Sequence, residues 1–184
     1  MSGAAPSSWF VRHAAWVGDA ARLGPVVDLA CGPGRHTLAA AALGARTLGI
    51  DRNPALLEAL LCEARTQALP FLVTGVCADL EAAHRLPLRE NSCGAILVFR
   101  YLHRPLAPAI SALLRPGGLL LYETFTTDQR NLGYGPRNPA FLLAPGELRE
   151  LFSELAILAY EEGLSPGERP EALARLAARR DELR

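Results

Sequence analysis

The chain has 184 residues, 50% of them hydrophobic, and its 19 basic and 19 acidic side chains cancel. That length predicts one domain over 1–184 with its own core, and neutrality argues against a broad nucleic-acid footprint without excluding a local patch. No apolar run nears the ~20 residues of a membrane span, and the start lacks the basic-then-apolar pattern of a signal peptide, so neither a membrane nor an export signal is expected.

Trp9, Phe10, Val11, Ala14, Trp16, Val17 and Ala20 recur at helical spacing, which predicts a helix over 8–23. A first strand follows over 26–31, then a helix over 35–43 stopped by Gly44. Residues 47–51 read as a second strand, and Asn53-Pro54 opens a helix to about 66. Residues 71–77 form a third strand region, and 81–93 a polar connection. The continuous apolar run over 94–99 is a buried strand. Residues 105–114 read as a short helix, Arg115-Pro116-Gly117-Gly118 as a turn, and 119–125 as a fifth strand. Residues 126–145 have no periodicity; so long a loop is functional or disordered, and Arg130, Tyr134, Arg137 and Phe141 favour function. A helix over 146–153 and a strand over 155–160 follow, and 169–184 reads locally as a helix begun by Pro170. Alternating strands and helices imply an α/β fold, a mainly parallel sheet with helices on both faces.

The segment that carries chemistry is Val26-Val27-Asp28-Leu29-Ala30-Cys31-Gly32-Pro33-Gly34-Arg35-His36-Thr37, with Asp51 lying 19 residues after Gly32. A glycine turn between strand and helix lets a ligand approach the backbone, and an acid at the next strand end suits ribose hydroxyls. A dinucleotide fingerprint needs glycine where Ala30 and Thr37 stand, which disfavours a nicotinamide cofactor. Asp28, ahead of the turn, suits an ammonium-bearing ligand better than a phosphate.

Asp28-Leu29-Ala30-Cys31-Gly32-Pro33-Gly34 resembles motif I of the class I S-adenosylmethionine-dependent methyltransferases, and the likeness runs along nearly the whole chain. Tyr101-Leu102-His103-Arg104-Pro105-Leu106, Tyr122-Glu123-Thr124-Phe125 and residues 138–148 are similar, within that class, to small bacterial tellurite-resistance-type methyltransferases. The resemblance implies a doubly wound, Rossmann-like sheet of seven strands. Its last strand, near 174–179, would insert antiparallel beside the fifth and replace the helix read locally there. It implies S-adenosylmethionine as cofactor, carried by Asp28, Gly32, Gly34, Asp51 and Asp79. Cys31, His36, Arg52, Leu80 and Phe99 fall at the same strand ends and complete the expected cofactor site. Asp79 also reads as a cap of the turn after it, and His36 as a lining or capping residue.

Methyl transfer is an in-line displacement, so positioning dominates and a base is needed only for a protonated acceptor. His103 is the first candidate base, with Tyr122 and Glu123 next; His103 reads equally well as packing before Pro105. Arg100, with Arg104, Arg130 and Arg137, is expected to converge on an anionic acceptor. Trp9, Arg12 and Trp16 read as a lid or as a helix packed on the sheet. The expected activity is methyl transfer to a small-molecule acceptor, anionic or of thiol or chalcogen type. Methylation of RNA or protein, or a non-catalytic cofactor- or partner-binding domain, are the alternatives. The Asn/Asp-Pro-Pro-Tyr/Phe signature of amino-methylating enzymes is absent, which weakens the nucleic-acid alternative. Cysteines 31, 62, 77 and 93 lack metal-type spacing and read as reduced thiols of a cytoplasmic protein with no metal site.

Overall fold

The computed structural model describes residues 5–82 and 86–182. Seven strands form one sheet: β1 (Val26–Leu29), β2 (Thr47–Asp51), β3 (Val73–Cys77), β4 (Cys93–Phe99), β5 (Leu114–Phe125), β6 (Ala156–Leu164) and β7 (Ala172–Arg179). Their order is β3-β2-β1-β4-β5-β7-β6, parallel from β3 to β5, with β7 antiparallel to both neighbours. Residues 172–179 are therefore strand, as the resemblance implies, and not the helix their local pattern suggests. Leu173 and Leu176 become core there because β5 and β6 flank the segment on both sides.

The helices are α1 (Ser8–Arg12), α2 (Ala14–Ala20), α3 (Arg35–Ala42), α4 (Pro54–Thr66), α5 (Ala107–Leu113) and α6 (Glu147–Leu151). Strands β1 and β4 are buried throughout because helices cover both sides of the sheet. Alternate residues of β4 divide accordingly. Ile96 and Val98 pack with Ile110, Leu113 and Phe152, while Ala95, Leu97 and Phe99 meet Trp9, Val17 and Ala20. No helix among the described residues is long and apolar enough to cross a membrane.

Three elements differ from the pattern read in the sequence. The first helix breaks at His13, whose ring stacks on Trp16 at 4.5 Å and meets the edge of Trp9 at 4.3 Å. The helix before β5 begins as a single 3-10 turn at Arg104–Leu106, where two prolines limit the backbone bonds available. Arg115-Pro116-Gly117-Gly118 is a bulge inside β5, the pairing stepping from Cys93–Leu114 to Ala95–Leu119. Arg180 locks this bulge: its backbone N–H donates to Gly118 (2.9 Å) and its guanidinium to the Leu114 carbonyl (2.6 Å).

Candidate functional site at the carboxyl ends of the strands

After β1 the backbone turns through left-handed conformations at Ala30 (φ 53°), Gly32 (φ 56°) and Gly34 (φ 83°). Glycine is required at 34, where a Cβ would run into the Leu60 side chain. At Gly32 a Cβ would meet nothing within 4 Å. The Gly32 N–H donates to Asp51 Oδ2 at 2.8 Å, and the Asn53 N–H to Asp51 Oδ1 at 2.9 Å. An ionised carboxylate has about four acceptor positions, so about two remain open on Asp51.

Asp51 borders a pocket of about 380 Å³ to which five strand ends contribute. Ala30 comes from β1, Asp51 and Arg52 from β2, and Asp79 and Leu80 from the end of β3. Arg100 and Tyr101 follow β4, and Thr124 and Phe125 end β5. Pro136 and Phe141 of the long loop complete the wall. Ala30 and Arg100, at the ends of adjacent strands, are both non-glycine residues with positive φ, local strain concentrated at the pocket. Asp79 also caps the turn after it, accepting the Glu81 N–H at 2.9 Å.

Other expected cofactor residues lie behind this wall. Asp28 is buried and accepts the Thr37 hydroxyl at 2.6 Å; burial raises its pKa to about 7 against the opposing effect of that bond. Burial likewise pushes the Cys31 thiol far above its usual range. His36 accepts the Ser7 N–H at Nε2 (3.0 Å) and stacks on Phe99 at 3.7 Å. Burial, with Arg35 and Arg100 nearby, lowers its pKa to about 3, so it is a neutral clamp.

The acceptor-side expectations need more correction. Tyr122 is buried and donates to the Tyr101 carbonyl at 3.0 Å, so its hydroxyl does not reach the pocket. Glu123 is buried as well, accepting from Ser7 Oγ (2.9 Å) and Arg175 Nε (2.8 Å). His103 is partly buried beside the Arg104 turn and is not part of the wall. The four arginines do not converge. Arg104 is spent on Glu147 and the carbonyls of Ala140 and Leu142, Arg130 is exposed, and Arg137 donates to the Gly133 carbonyl. Only Arg100 reaches the pocket, and Glu171 binds its guanidinium at both ends (2.6 and 2.5 Å). Trp9 is core, donating to the Leu176 carbonyl at 3.3 Å, so the first helix packs on the sheet.

Nothing local in the sequence marks Ser7, Glu171 or Arg175, because their partners are remote, and the buried Tyr101 hydroxyl has no partner among the described residues. The loop over 126–145 is tied down by contacts to β7, to the segment before it and to the Arg104 turn. Buried Gln129 accepts the Ala172 N–H and donates to the Tyr134 carbonyl (both 2.9 Å), Tyr134 donates to Pro170, and Arg104 holds the turn bearing Phe141.

A sequence profile described as a methyltransferase domain matches residues 26–118, from β1 into the β5 bulge. Trans-aconitate 2-methyltransferase of Methylobacterium radiotolerans is 36% identical over 102 residues, 53% of this chain and 36% of that protein. The structure of TehB from Haemophilus influenzae superposes with a TM-score of 0.70 at 21% identity, covering 92% of this chain and 62% of that one. Geranyl diphosphate C-methyltransferase from Streptomyces coelicolor A3(2), solved with Mg²⁺, geranyl diphosphate and S-adenosyl-L-homocysteine, gives 0.66 at 16% identity, over 92% and 77% of the two chains. The chain thus spans about a third of the curated relative and under two thirds of TehB, and the structural likenesses bear on fold alone. The profile covers the glycine turn, Asp51 and the ends of β1 to β4, and on that match the chain belongs to the methyltransferase-domain family.

Proposed function

We propose that the protein transfers a methyl group from S-adenosylmethionine to a small acceptor. The observation that carries this reading is Asp51, each of whose oxygens is oriented by a backbone N–H at the edge of a pocket built from five strand ends. Its remaining acceptor positions suit a ribose diol, and the open side of Gly32 leaves room for a ligand against the backbone, so the residues present fit the cofactor. Asp79 and Leu80 would flank the adenine, and Arg52 its outer edge. When bound, S-adenosylmethionine supplies a methyl group activated on a sulfonium sulfur.

The chain's own contribution is positioning and exclusion of water. Asp51 orients the nucleoside, the turn over 30–34 fixes the distance of closest approach, and Phe125, Pro136 and Phe141 close the opposite side. His103 stands one residue beyond the wall residue Leu102, so nucleophile alignment rather than proton transfer is the role these residues support. A pocket of about 380 Å³ is at the lower end of the range for small-molecule sites, which favours a small acceptor over a macromolecule. The two relatives named above for trans-aconitate and geranyl diphosphate are likewise named for small acceptors.

Calorimetric titration with S-adenosylhomocysteine, with NAD as control, tests the reading. Asp51→Ala should weaken binding by about 100-fold, the worth of one or two charge-assisted hydrogen bonds. Wild-type protein that binds no S-adenosylhomocysteine, or binds it no better than Asp51→Ala, overturns it.

A further inference from the structure

The charges of the pocket wall are unevenly placed. Asp51, Arg52, Asp79 and Glu81 lie at or just beyond the ends of β2 and β3, whereas Arg100 is the one charged wall residue on the β4–β5 side among the described residues. The rest of that side, with the loop that covers it, is Tyr101, Leu102, Thr124, Phe125, Pro136 and Phe141.

A guanidinium in an otherwise apolar wall ordinarily recruits an anion. Here its charge is already met from two directions. Glu171 takes Nη1 and Nη2 at 2.6 and 2.5 Å, the same pair of donors that a ligand carboxylate or phosphate would use. Glu123 Oε1 lies 3.6 Å from Nε on the buried side. The guanidinium carbon also lies over the Phe125 ring, 4.6 Å from its centroid, so the cation is tied to an aromatic wall residue as well.

Glu171 is held at this place by its own backbone. Its N–H donates to Ser165 Oγ at 2.9 Å and its carbonyl accepts the Ser165 N–H at 2.8 Å, closing the connection from β6 just before β7 begins at Ala172. An anion competing for Arg100 therefore meets a partner tethered on the spot, with the advantage of an intramolecular group. It would also stand beside the like charges of Glu171 and Glu123, an arrangement that rejects the wrong ligand. The hydrogen bond from Arg100 holds the Glu171 carboxyl below the usual carboxylate range, so the pair stays ionised at neutral pH. A cation fares no better, because Glu171 is engaged by Arg100 and Glu123 by Ser7 and Arg175.

We infer that Glu171 is a specificity-determining residue: by closing the fork of Arg100 it excludes anions, and the methyl acceptor is an uncharged molecule whose apolar body lies against Phe125 and Phe141. The inference rests on the methyltransferase reading and deepens it.

Benzoate, benzamide and benzamidine share one shape and carry a negative, no and a positive charge. Each is titrated by calorimetry into protein saturated with S-adenosylhomocysteine. Wild type should bind benzamide about tenfold or more tighter than either ion. Glu171→Gln keeps the shape of the side chain and frees the Arg100 charge. It should tighten benzoate by about tenfold while benzamide changes by less than about twofold, and adding Arg100→Gln should abolish that gain. A purely structural Glu171 would weaken all three probes together, and that result overturns the inference, as does an unchanged benzoate affinity in Glu171→Gln. So does wild-type protein that binds benzoate or benzamidine as tightly as benzamide, or binds none of the three, a reading that needs no variant to fold. Wild-type protein that binds no S-adenosylhomocysteine removes the methyltransferase reading as well; one that binds it and shows no preference for benzamide removes this inference alone.

Discussion

The ends of β1 and β2 and the ends of β4 and β5 face one pocket, yet they are held over very different lengths of chain. On the first side Thr37 reaches Asp28 across nine residues, Gly32 reaches Asp51 across 19, and Asn53 reaches Asp51 across two. On the second, Arg104 reaches across 36 to 43 residues to the turn bearing Phe141 and to Glu147, Arg100 across 71 to Glu171, and Glu123 across 116 to Ser7. The β1–β2 side is a local device, closed by one strand–turn–helix–strand unit. The β4–β5 side is assembled from the first turn, the long loop and the β6–β7 hairpin, so it exists only once the whole sheet does.

The largest break in this comparison should come from Gly34→Val. It adds a side chain at positive φ against Leu60, with an expected loss of roughly 3 kcal/mol, about 6–12 °C in melting temperature. A variant that melts within a degree or two of wild type would show that the turn is not rigid.

A subtler separation comes from pH. Asp28 has a folded pKa near 7 against an ordinary 3.8, so the native state holds the extra proton and this group's contribution to stability falls as pH rises through that window. His36 is lowered from 6.5 to about 3, so the unfolded state holds the extra proton and its contribution is lost as pH falls through that window. The two oppose each other between about pH 4 and 6.5, which predicts a shallow wild-type profile from denaturant titrations. Asp28→Asn should uncover a rise in stability with pH, and His36→Phe a fall. Parallel profiles in the two variants would contradict both assignments.

The smallest effect belongs to the distant side. Arg104→Ala releases the carbonyls of Ala140 and Leu142 and the Glu147 carboxylate, so trypsin should cut after the exposed Arg137 several-fold faster. S-adenosylhomocysteine affinity should stay within about threefold if Asp51 carries it, since Gly32 and Asn53 hold that carboxylate without the loop. A loss as large as that of Asp51→Ala would mean the two sides are one cooperative unit.

The contrast also explains what the amino-acid pattern disclosed. The spacing from Gly32 to Asp51 is short enough to be read as a nucleoside site, and the alternation of strands and helices was plain from hydrophobic runs. The antiparallel place of β7 was not, because Leu173, Leu176 and the neighbouring charges carry a helical pattern that only flanking strands override. Four arginines at strand ends and in one loop look like an anion pocket in one dimension. Glu147 and Glu171, which turn Arg104 and Arg100 away from that role, have no local signature.

Glu123 has a further consequence, for the order in which the molecule can be completed during synthesis. One of its oxygens, Oε2, is shared by Ser7, made almost at once, and by Arg175, made nearly last. Until β7 has emerged from the ribosome this carboxylate cannot be desolvated without losing one of its cationic partners, so β5 has reason to stay hydrated at that point and the amino-terminal helices have no finished surface to dock on. Vectorial synthesis would therefore yield β1 to β3 and their helices first, with the β4–β5 side of the pocket closing in a single late event.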